Sequence, residues 1–322
     1  REGYQYKILA AETIPYSAKW KKVLQQAFHF TALELQELSI EYGSFLSDYI
    51  LNFIAENNLK RVDFIASHGH TIHHRPEKGY TLQIGDGNTI FKKIRIKTIC
   101  DFRSQDVDFG GQGAPLVPIG DLLLFTDYDY CLNLGGFANI SFDKNGKRLA
   151  FDICSVNIVL NHFANKIGLD YDDKGLLAEK GELNISLLKE LNTLEFYQSK
   201  QPKSLGVEFV LTEIFPILNN YSLDVQAVLR TYVEHIAIQI AAKIDNDKSV
   251  LITGGGAFND FLIKRIAFHS KASFVIPDKK LINYKEALIF AFLGLRRLEN
   301  KVNCLKTVTG AKQDHCSGMM YG

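Results

Sequence analysis

The chain has 322 residues, of which 46% are hydrophobic and 23% are charged, and its 37 Lys and Arg residues nearly balance its 36 Asp and Glu residues. This length exceeds what one hydrophobic core usually organises, so we expect two domains. The near-zero net charge argues against a nucleic acid or an anionic membrane as partner, and a small molecule is therefore expected.

The cysteines and the apolar runs exclude two further classes of protein. The 5 cysteines are scattered, odd in number and never spaced as C-x-x-C, which argues against a disulfide framework and a zinc cluster and favours a reducing cytoplasm. The longest apolar runs, such as ALIFAFLGL at 287–295, are too short to span a bilayer. We therefore predict a cytoplasmic protein without a membrane segment.

The first half of the chain mixes predicted strands and helices. The stretch YQYKILAAETIPY at 4–16 alternates polar and apolar residues and predicts a strand, followed by an amphipathic helix from about Ser17. Thr31 and Glu34 form a capping box for a long helix that ends near Asn57. Three further strands are predicted at RVDFIA, TLQIG and IKTIC, the first two separated by the histidine-rich loop SHGHTIHHRPEKG.

The second half begins with three short predicted strands, CLNLG, ANISFD and RLAFD, joined by a Gly-Gly turn and the turn KNGK. A helix over about 155–166 follows. Helices near 183–194 and 224–244, the strand SVLIT, a helix from Phe258, the strand ASFVIP and a helix from Asn283 continue an α/β pattern.

A strand meander followed by alternating helices and strands is typical of an RNase H-like module. Two such modules form the actin and hexokinase-type architecture, with a cleft between the domains. We predict an α/β chain with an N-terminal domain over 1–117, joined by the tail 303–322, and a C-terminal domain over 118–302. The first domain shows only one meander strand, so we expect two more strands upstream of Arg1.

Two glycine-rich turns are candidate phosphate sites. Gly254, Gly255 and Gly256 follow the strand SVLIT and precede a helix, where backbone N–H groups can approach a phosphate, but a tight turn explains them equally well. For Gly135 and Gly136, in LNLGGFANIS, a plain hairpin turn is by itself the better explanation. The absence of G-x-x-x-x-G-K-[ST] argues against a P-loop enzyme.

Charged residues gather at the ends of two predicted strands. The stretch DFRSQDVDFGGQGAPLVP is either a solvated loop or a ligand-binding loop, and its polar side chains include Asp101, Arg103, Asp106, Asp108 and Gln112. Asp152 ends the apolar strand LAFD just before a helix. A carboxylate there either caps the helix or acts as a catalytic base.

Four histidines lie within SHGHTIHHRP, namely His68, His70, His73 and His74. Such a group invites a metal site, but no carboxylate pair or thiolate completes a familiar ligand set. Hydrogen bonding of neutral imidazoles to a polyol is the better functional explanation. We therefore assign no metal ligands from the sequence.

Taken in order, these segments resemble the anhydro-N-acetylmuramic acid kinases, bacterial enzymes of the actin-like sugar-kinase superfamily that recycle cell-wall sugar. The resemblance covers nearly the whole chain, and its most specific piece is DFRSQDV followed by GGQGAPLVP. Further matching segments are TLQIGDG, LNLGGFANIS, FDICSVN, YDDKG, PKSLGVEF, ITGGGAFN and KEALIFAFLG. The resemblance implies an ATP- and Mg2+-dependent reaction that adds water at C1, opens the 1,6-anhydro bond and phosphorylates O6, giving N-acetylmuramic acid 6-phosphate.

The same resemblance implies roles for individual residues. Asp152 matches the acid of the family motif F-D-T-G-P-G-N and is expected to be the general base for the water. The residues expected to bind the sugar are His68, Thr71, Gln83, Asp86, Arg103 and Glu286. Those expected to bind ATP are Gly135, Gly136, Asn139, Gly254, Gly255 and Gly256.

The chain departs from the family pattern in three places. The motif M-S-G-T-S-x-D-G is absent, so the resemblance implies that this phosphate turn precedes Arg1 and that the chain by itself is not a competent kinase. Ile153, Cys154, Ser155 and Val156 replace T-G-P-G, and His70 replaces the Gln of H-G-Q-T-I.

Because of these departures, other functions remain alternatives. They are a non-catalytic sugar- or nucleotide-binding relative, a kinase for a different anhydrosugar, and a metal hydrolase built on the four histidines. The sequence does not fix the oligomeric state, and a homodimer is compatible with it.

Overall fold

The computed structural model describes residues 3–198 and 204–322, so Pro202 and Lys203 of PKSLGVEF lie outside the described residues. In chain order the strands are β1 (Ile65–Ala66), β2 (His70–Arg75), β3 (Tyr80–Ile84), β4 (Thr98–Cys100), β5 (Tyr130–Leu134), β6 (Phe137–Lys144), β7 (Lys147–Ser155), β8 (Ser249–Thr253), β9 (Ser273–Val275) and β10 (Met319–Tyr321).

The helices are α1 (Ala18–Gln26), α2 (Ala32–Glu56), α3 (Gly87–Ile94), α4 (Ser104–Asp108), α5 (Pro118–Leu124), α6 (Asn157–Asn165), α7 (Leu176–Lys180), α8 (Ile185–Asn192), α9 (Glu195–Gln198), α10 (Val207–Phe209), α11 (Phe215–Asn220), α12 (Val225–Ala241), α13 (Asp260–His269), α14 (Lys279–Leu298) and α15 (Lys306–Thr309). The predicted mixed α/β class is confirmed by this element order.

The chain folds into two compact units. Unit 1 comprises Arg1–Leu124 and Glu286–Gly322, and unit 2 comprises Phe125–Lys285. From the sequence, the first domain was predicted to end at residue 117. Of the residues after that boundary, only 303–322 were assigned to the first domain. The structure also assigns α5 and most of α14 to unit 1, because these helices touch: a Cβ added at Gly120 would lie 2.6 Å from Ile289. No local pattern reveals this contact between distant segments.

Unit 2 is built on a five-stranded sheet with the order β7-β6-β5-β8-β9. Strands β5, β6 and β7 form the antiparallel meander, whereas β8 pairs in parallel with β5 and β9 in parallel with β8. Its core includes Leu132, Ile140 and Ile252 from the sheet and Tyr232 and Ile236 from α12, all buried. This strand order is the one that an RNase H-like module requires, so the predicted meander is confirmed.

In its described residues, unit 1 contains two small sheets. Strand β4 lies between β1, its parallel neighbour, and β10, its antiparallel neighbour. Strands β2 and β3 form a separate antiparallel hairpin. The tail of the chain therefore contributes a strand to unit 1, through pairing that joins residues 98–100 to 319–321.

Helix α2 has the predicted start and end. The Thr31 hydroxyl accepts from the Glu34 backbone N–H, and the Glu34 carboxylate accepts from the Thr31 N–H at 2.7 Å. The helix then buries Leu35, Leu38 and Tyr42 on one face and ends at Glu56, just before Asn57.

Two sequence predictions in unit 1 were wrong. Residues 4–16 do not form a strand; Tyr4 instead packs edge-on against Phe292 with 4.8 Å between ring centroids. Alternation of polar and apolar residues indicates which faces are buried. A strand also needs backbone hydrogen bonds to a neighbouring strand. The histidine-rich segment, predicted as a loop, contains β2, because pairing with β3 outweighs the weak strand preference of its residues.

Within residues 3–198 and 204–322, no helix combines the length and the apolar character needed to cross a bilayer.

Candidate active site

Asp152 lies within strand β7, not at the end of a helix. Strand β7 continues to Ser155, and α6 starts at Asn157 after Val156, which makes no side-chain cap. Helix capping by Asp152, one of the two sequence alternatives, is therefore excluded. Asn139 stands opposite Asp152 and Ala138 opposite Cys154, so Ile153 is the extra residue of a β-bulge. Bulges are common beside active sites, where they re-aim a side chain.

The Asp152 carboxylate is half-buried and held by one backbone amide. Burial raises its pKa above the ordinary 3.8, and the hydrogen bond that its Oδ2 accepts from the Leu205 N–H at 2.8 Å opposes this. A carboxylate with a raised pKa is a stronger base than an ordinary aspartate. The sequence did not single out Leu205, although PKSLGVEF, which contains it, matches the family pattern.

The two glycine turns of unit 2 lie at the carboxyl ends of the neighbouring parallel strands β5 and β8. Gly254 has φ +83°, and a Cβ there would lie 2.6 Å from Asn133 Oδ1 and 2.8 Å from the Leu134 backbone. A Cβ on Gly256 would lie 2.7 Å from the Leu134 side chain. Only glycine fits such a close approach, and this edge of an open α/β sheet is where ligands usually bind.

The Gly135–Gly136 turn also supports the start of α6. The carbonyl of Gly136 accepts from the Val156 N–H at 2.8 Å, and that of Gly135 accepts from the Asn157 N–H at 3.2 Å. The Asn157 side chain donates to the Leu134 carbonyl at 3.1 Å. Asn139, also expected to bind ATP, is exposed on β6 opposite Asp152. The structure thus brings the predicted base and both predicted nucleotide turns to one end of the unit 2 sheet.

In unit 1, Arg103 and His68 contact each other directly. Arg103 donates to His68 Nε2 from Nε at 3.0 Å and from Nη2 at 2.9 Å, and Nη1 donates to the Gly113 carbonyl at 2.6 Å. Burial, and secondly the Arg103 charge, lower the pKa of His68 to about 4. The imidazole is therefore neutral at pH 7, with Nδ1 donating to the Gly69 carbonyl at 3.1 Å. Phe290 supports the ring edge-on at 4.5 Å between centroids.

Three of the predicted sugar-binding residues, His68, Gln83 and Asp86, line a pocket of about 160 Å3 in unit 1. Gln83 donates to Thr71 Oγ1 at 3.3 Å and to Thr81 Oγ1 at 2.8 Å. Its Oε1 is buried without a hydrogen-bond partner among the described residues, which leaves it as an acceptor for a ligand hydroxyl.

Asp86 also caps a helix, whereas Glu286 does not line the pocket. Asp86 Oδ1 caps α3 by accepting from the Thr89 N–H at 2.7 Å and the Thr89 hydroxyl at 2.6 Å. Glu286 is exposed on α14. Burial lowers the pKa of Arg103, and the Glu286 charge opposes that shift. Arg103, Thr71 and Glu286 are not among the residues that line the pocket.

The four histidines do not converge on one point. His70 packs edge-on near Tyr42, His73 packs near Phe28, and His74 shares a hydrogen bond of 3.1 Å with Thr81. Among the described residues, the group with potential ligand atoms close together is a different one, formed by Asp106, Cys304 and His315. The histidine-based metal hydrolase therefore has no support from the described geometry.

Comparison with known protein families shows which family the chain belongs to. The family model described as anhydro-N-acetylmuramic acid kinase matches residues 2–322. The chain belongs to this family.

Curated anhydro-N-acetylmuramic acid kinases are similar to the chain along most of their length. The enzyme of Saccharophagus degradans is 35% identical over 309 residues, covering 89% of this chain and 83% of the relative. That of Mannheimia succiniciproducens is 33% identical over 343 residues, covering 98% and 92%. Among solved structures, the activator of the 2-hydroxyisocaproyl-CoA dehydratase from Clostridium difficile with bound ADPNP covers 68% of this chain and 87% of its own, with TM-score 0.38 and 15% identity.

The departure from the family motif after Asp152 lies inside the core. Ile153, Cys154, Ser155 and Val156 are all completely buried. Ser155 shares a hydrogen bond of 2.6 Å with the Tyr232 hydroxyl, and the three apolar side chains belong to the unit 2 core. The larger residues therefore fill protein interior rather than surface beside the carboxylate.

The family motif also contains a residue to which the sequence analysis gave no role. Asn157 ends FDICSVN and ties α6 to the end of β5, and a Cβ on Gly255 would lie 3.6 Å from its Nδ2. The sequence feature that could have identified Asn157 is its place in the same motif as Asp152.

Proposed function

We propose that this chain uses ATP to convert 1,6-anhydro-N-acetylmuramic acid into N-acetylmuramic acid 6-phosphate, a step in cell-wall sugar recycling. The observation that carries the proposal is the family match along the whole chain, together with Asp152 in the motif position of the family's acid. The pocket-lining side chains of unit 1, His68 and Gln83, offer uncharged hydrogen-bonding groups suited to sugar hydroxyls.

Asp152 acts in this proposal as the general base. It accepts a proton from the water that attacks C1, while the C1–O6 bond breaks and O6 takes the γ-phosphoryl group. Departure of O6 gives C1 oxocarbenium character, so a carboxylate with a raised pKa is a sufficient base. The Leu205 N–H fixes Oδ2 and orients the carboxylate.

ATP is proposed to bind at the glycine turns of unit 2. The absence of side chains at Gly135, Gly136 and Gly255 lets backbone groups approach a nucleotide, and Gly254 and Gly256 hold their turn against Leu134. ATP would enter as its Mg2+ complex, since Mg2+ takes most of its ligands from phosphate and water. Bound Mg2+ supplies neutralisation of phosphate charge.

The test is an ADP-release assay with 1,6-anhydro-N-acetylmuramic acid, ATP and Mg2+. We expect turnover by the protein, and Asp152→Asn should lower kcat by about 10^2- to 10^4-fold, since general-base catalysis contributes that much. Asp170→Asn, an exposed aspartate of the same unit, is the matched control and should keep normal kcat. Near-normal turnover by Asp152→Asn would refute its role as the base.

Two parallel measurements separate the remaining alternatives. Calorimetry that finds sugar binding without ADP formation would identify a non-catalytic relative, and turnover of levoglucosan alone would identify a kinase for a different anhydrosugar. The burial of residues 153–156 favours the kinase over the binding protein, because these substitutions do not add bulk at the surface beside Asp152. Cytoplasmic location and a homodimer stay predictions.

A further inference from the structure

A buried cluster in unit 1 joins the loop that carries Arg103 to the tail of the chain. Asp106 lies in α4, and Cys304 and His315 come from the tail. Their exposed fractions are 0%, 1% and 6%. Cys304 and His315 exchange two backbone hydrogen bonds of 3.1 Å, which place their side chains on neighbouring segments. One potential ligand atom from each residue lies within 4.8 Å of the other two.

The hydrogen bonding of His315 identifies the ring nitrogen that donates. Nδ1 lies 3.1 Å from the Gln313 carbonyl, which only accepts hydrogen bonds, so Nδ1 carries a proton. Nε2 is buried, has no hydrogen-bond partner among the described residues and lies 3.6 Å from Asp106 Oδ1. A neutral imidazole would therefore aim a lone pair at a carboxylate. A cation between the two atoms removes this repulsion.

The distances suit a small tetrahedral ion. Bonds of 2.3 Å to sulfur and about 2.0–2.2 Å to nitrogen and oxygen separate neighbouring ligand atoms by about 3.4–3.6 Å. Cys304 Sγ lies 3.0 Å and His315 Nε2 lies 3.6 Å from Asp106 Oδ1. The nitrogen–oxygen separation already fits, and the sulfur–oxygen separation has to widen by about 0.5 Å. Direct hydrogen bonding of a charged imidazolium would instead favour about 2.7–2.9 Å.

We propose that Asp106, Cys304 and His315 bind one Zn2+ ion as a structural site. Thr309, whose hydroxyl lies 2.7 Å from Asp106 Oδ1, or a water molecule occupies the fourth side. Binding breaks the Cys304 S–H bond and forms the thiolate–zinc bond, and the displaced proton leaves to the buffer. Neutral His315 binds through the Nε2 lone pair and releases none.

The site would stiffen the segment that presents Arg103. Asp106 Oδ2 accepts from the Gly113 N–H at 2.7 Å, and the Gly113 carbonyl accepts from Arg103 Nη1 at 2.6 Å. An ion on Oδ1 holds the carboxylate and, through it, both ends of this loop. The ligands lie in two segments about 200 residues apart, so the proposed site also attaches the tail to unit 1.

The test uses metal-depleted protein titrated with Co2+, which reports thiolate ligation through a charge-transfer band in the near ultraviolet, and elemental analysis after growth with zinc. We expect one ion per chain, the charge-transfer band, and a Tm several degrees lower after metal removal. Cys304→Ser should lose the band. Cys316→Ser is the matched control, because this half-buried cysteine lies next to His315 outside the ligand set, and it should keep the band.

His315→Asn provides a second variant if Cys304→Ser does not fold. The amide N–H of Asn can still donate to the Gln313 carbonyl, but the Nε2 ligand is gone. Loss of stoichiometric zinc from folded His315→Asn supports the site. Trace metal only in the unaltered protein, full zinc in His315→Asn, or a thiolate band that survives in Cys304→Ser overturns it.

Discussion

At the scale of single residues, the surroundings of Asp152 distinguish it from an ordinary surface aspartate. Its carboxylate is half-buried in a strand beside a β-bulge, and one backbone N–H fixes one oxygen. Burial raises its pKa, which the hydrogen bond from Leu205 opposes. The proposed base must be unprotonated to act, so the proposal predicts that the acid side of the pH profile reports on Asp152.

The pH dependence of kcat should therefore show an acid limb above the ordinary pKa of 3.8, with kcat falling as pH drops and Asp152 becomes protonated. Leu205→Pro removes the N–H donor, which raises the pKa further and should move the limb to higher pH. Leu205→Ala keeps the donor and is the control. If Leu205→Pro leaves the acid limb of the kcat profile at the same pH, this hydrogen bond does not set the pKa of Asp152 in the enzyme–substrate complex.

Gly254 is a second position where a single added atom, the Cβ of alanine, should change stability. Gly254→Ala places a Cβ 2.6 Å from Asn133 Oδ1 at a φ of +83°, whereas in Gly255→Ala the nearest atom is 3.6 Å away. We expect Gly254→Ala to destabilise the protein by more than about 1 kcal/mol and to raise the KM for ATP. Gly255→Ala should remain as stable as the unaltered protein in chemical denaturation. Equal stability of both variants would contradict the steric argument.

At the scale of elements, α12 and α13 are joined by a charge network centred on Glu234. Arg265 donates to both carboxylate oxygens at 2.7 Å, and His269 and Arg230 each approach one of them, at 2.6 and 2.7 Å. Burial alone would raise the pKa of Glu234, but these hydrogen bonds outweigh it and lower the pKa from 4.5 to about 2. The network stabilises the folded state wherever the carboxylate is ionised.

The sign of the pH effect follows from the lowered pKa. The stabilisation is fully present above about pH 4.5 and is lost as pH falls towards 2, because the unfolded chain binds the proton first. Glu234→Gln should therefore lower the free energy of unfolding by about 3 kcal/mol at pH 7 and by little at pH 2.

Glu179→Gln is the control, since its exposed ion pair with Lys264 also reaches α13, at 2.9 Å. Exposed pairs contribute little, so the Tm should hardly change. The same Tm loss in both variants across this pH range would mean that Glu234 behaves as a surface charge.

At the scale of the whole molecule, the tail is an integral part of unit 1. Asn303 is buried; its side-chain Nδ2 donates to the carbonyls of Leu293 at 3.1 Å and Ser317 at 2.8 Å, and its Oδ1 accepts from the Ser317 N–H at 2.6 Å. These bonds fix the chain between α14 and β10, which pairs with β4. The three-stranded sheet of unit 1 thus combines residues 65–66 and 98–100 with residues 319–321 of the tail.

Asn303→Ala should lower the free energy of unfolding by about 3 kcal/mol, because it leaves three buried backbone groups without their partner. Asn52→Ala, at an exposed position of α2, is the control and should change stability by less than about 0.5 kcal/mol. Urea denaturation monitored by circular dichroism measures both. Similar urea midpoints for the two variants would contradict this prediction, because they would mean that the tail is only attached to the surface.

Features that depend on neighbouring residues could be predicted from the amino-acid sequence. The capping box of α2 and the turns of the β5–β7 meander are set by hydrogen bonds within a few positions, and their residue types show directly in the sequence. The family motifs pointed to Asp152, Arg103 and His68 as site candidates. The sequence did not show that Arg103 and His68 contact each other, because 35 positions separate them.

Features that depend on distant segments became apparent from the folded chain. Whether Asp152 caps a helix or stands in a strand was settled by the pairing of β7 with β6, which continues past it to Ser155. The cluster of Asp106 and Cys304 forms across 198 positions. Local preferences act over a few residues, whereas burial and strand pairing select among distant contacts through the free energy of the whole fold. The sequence therefore supplies the chemical groups, and packing decides which of them meet.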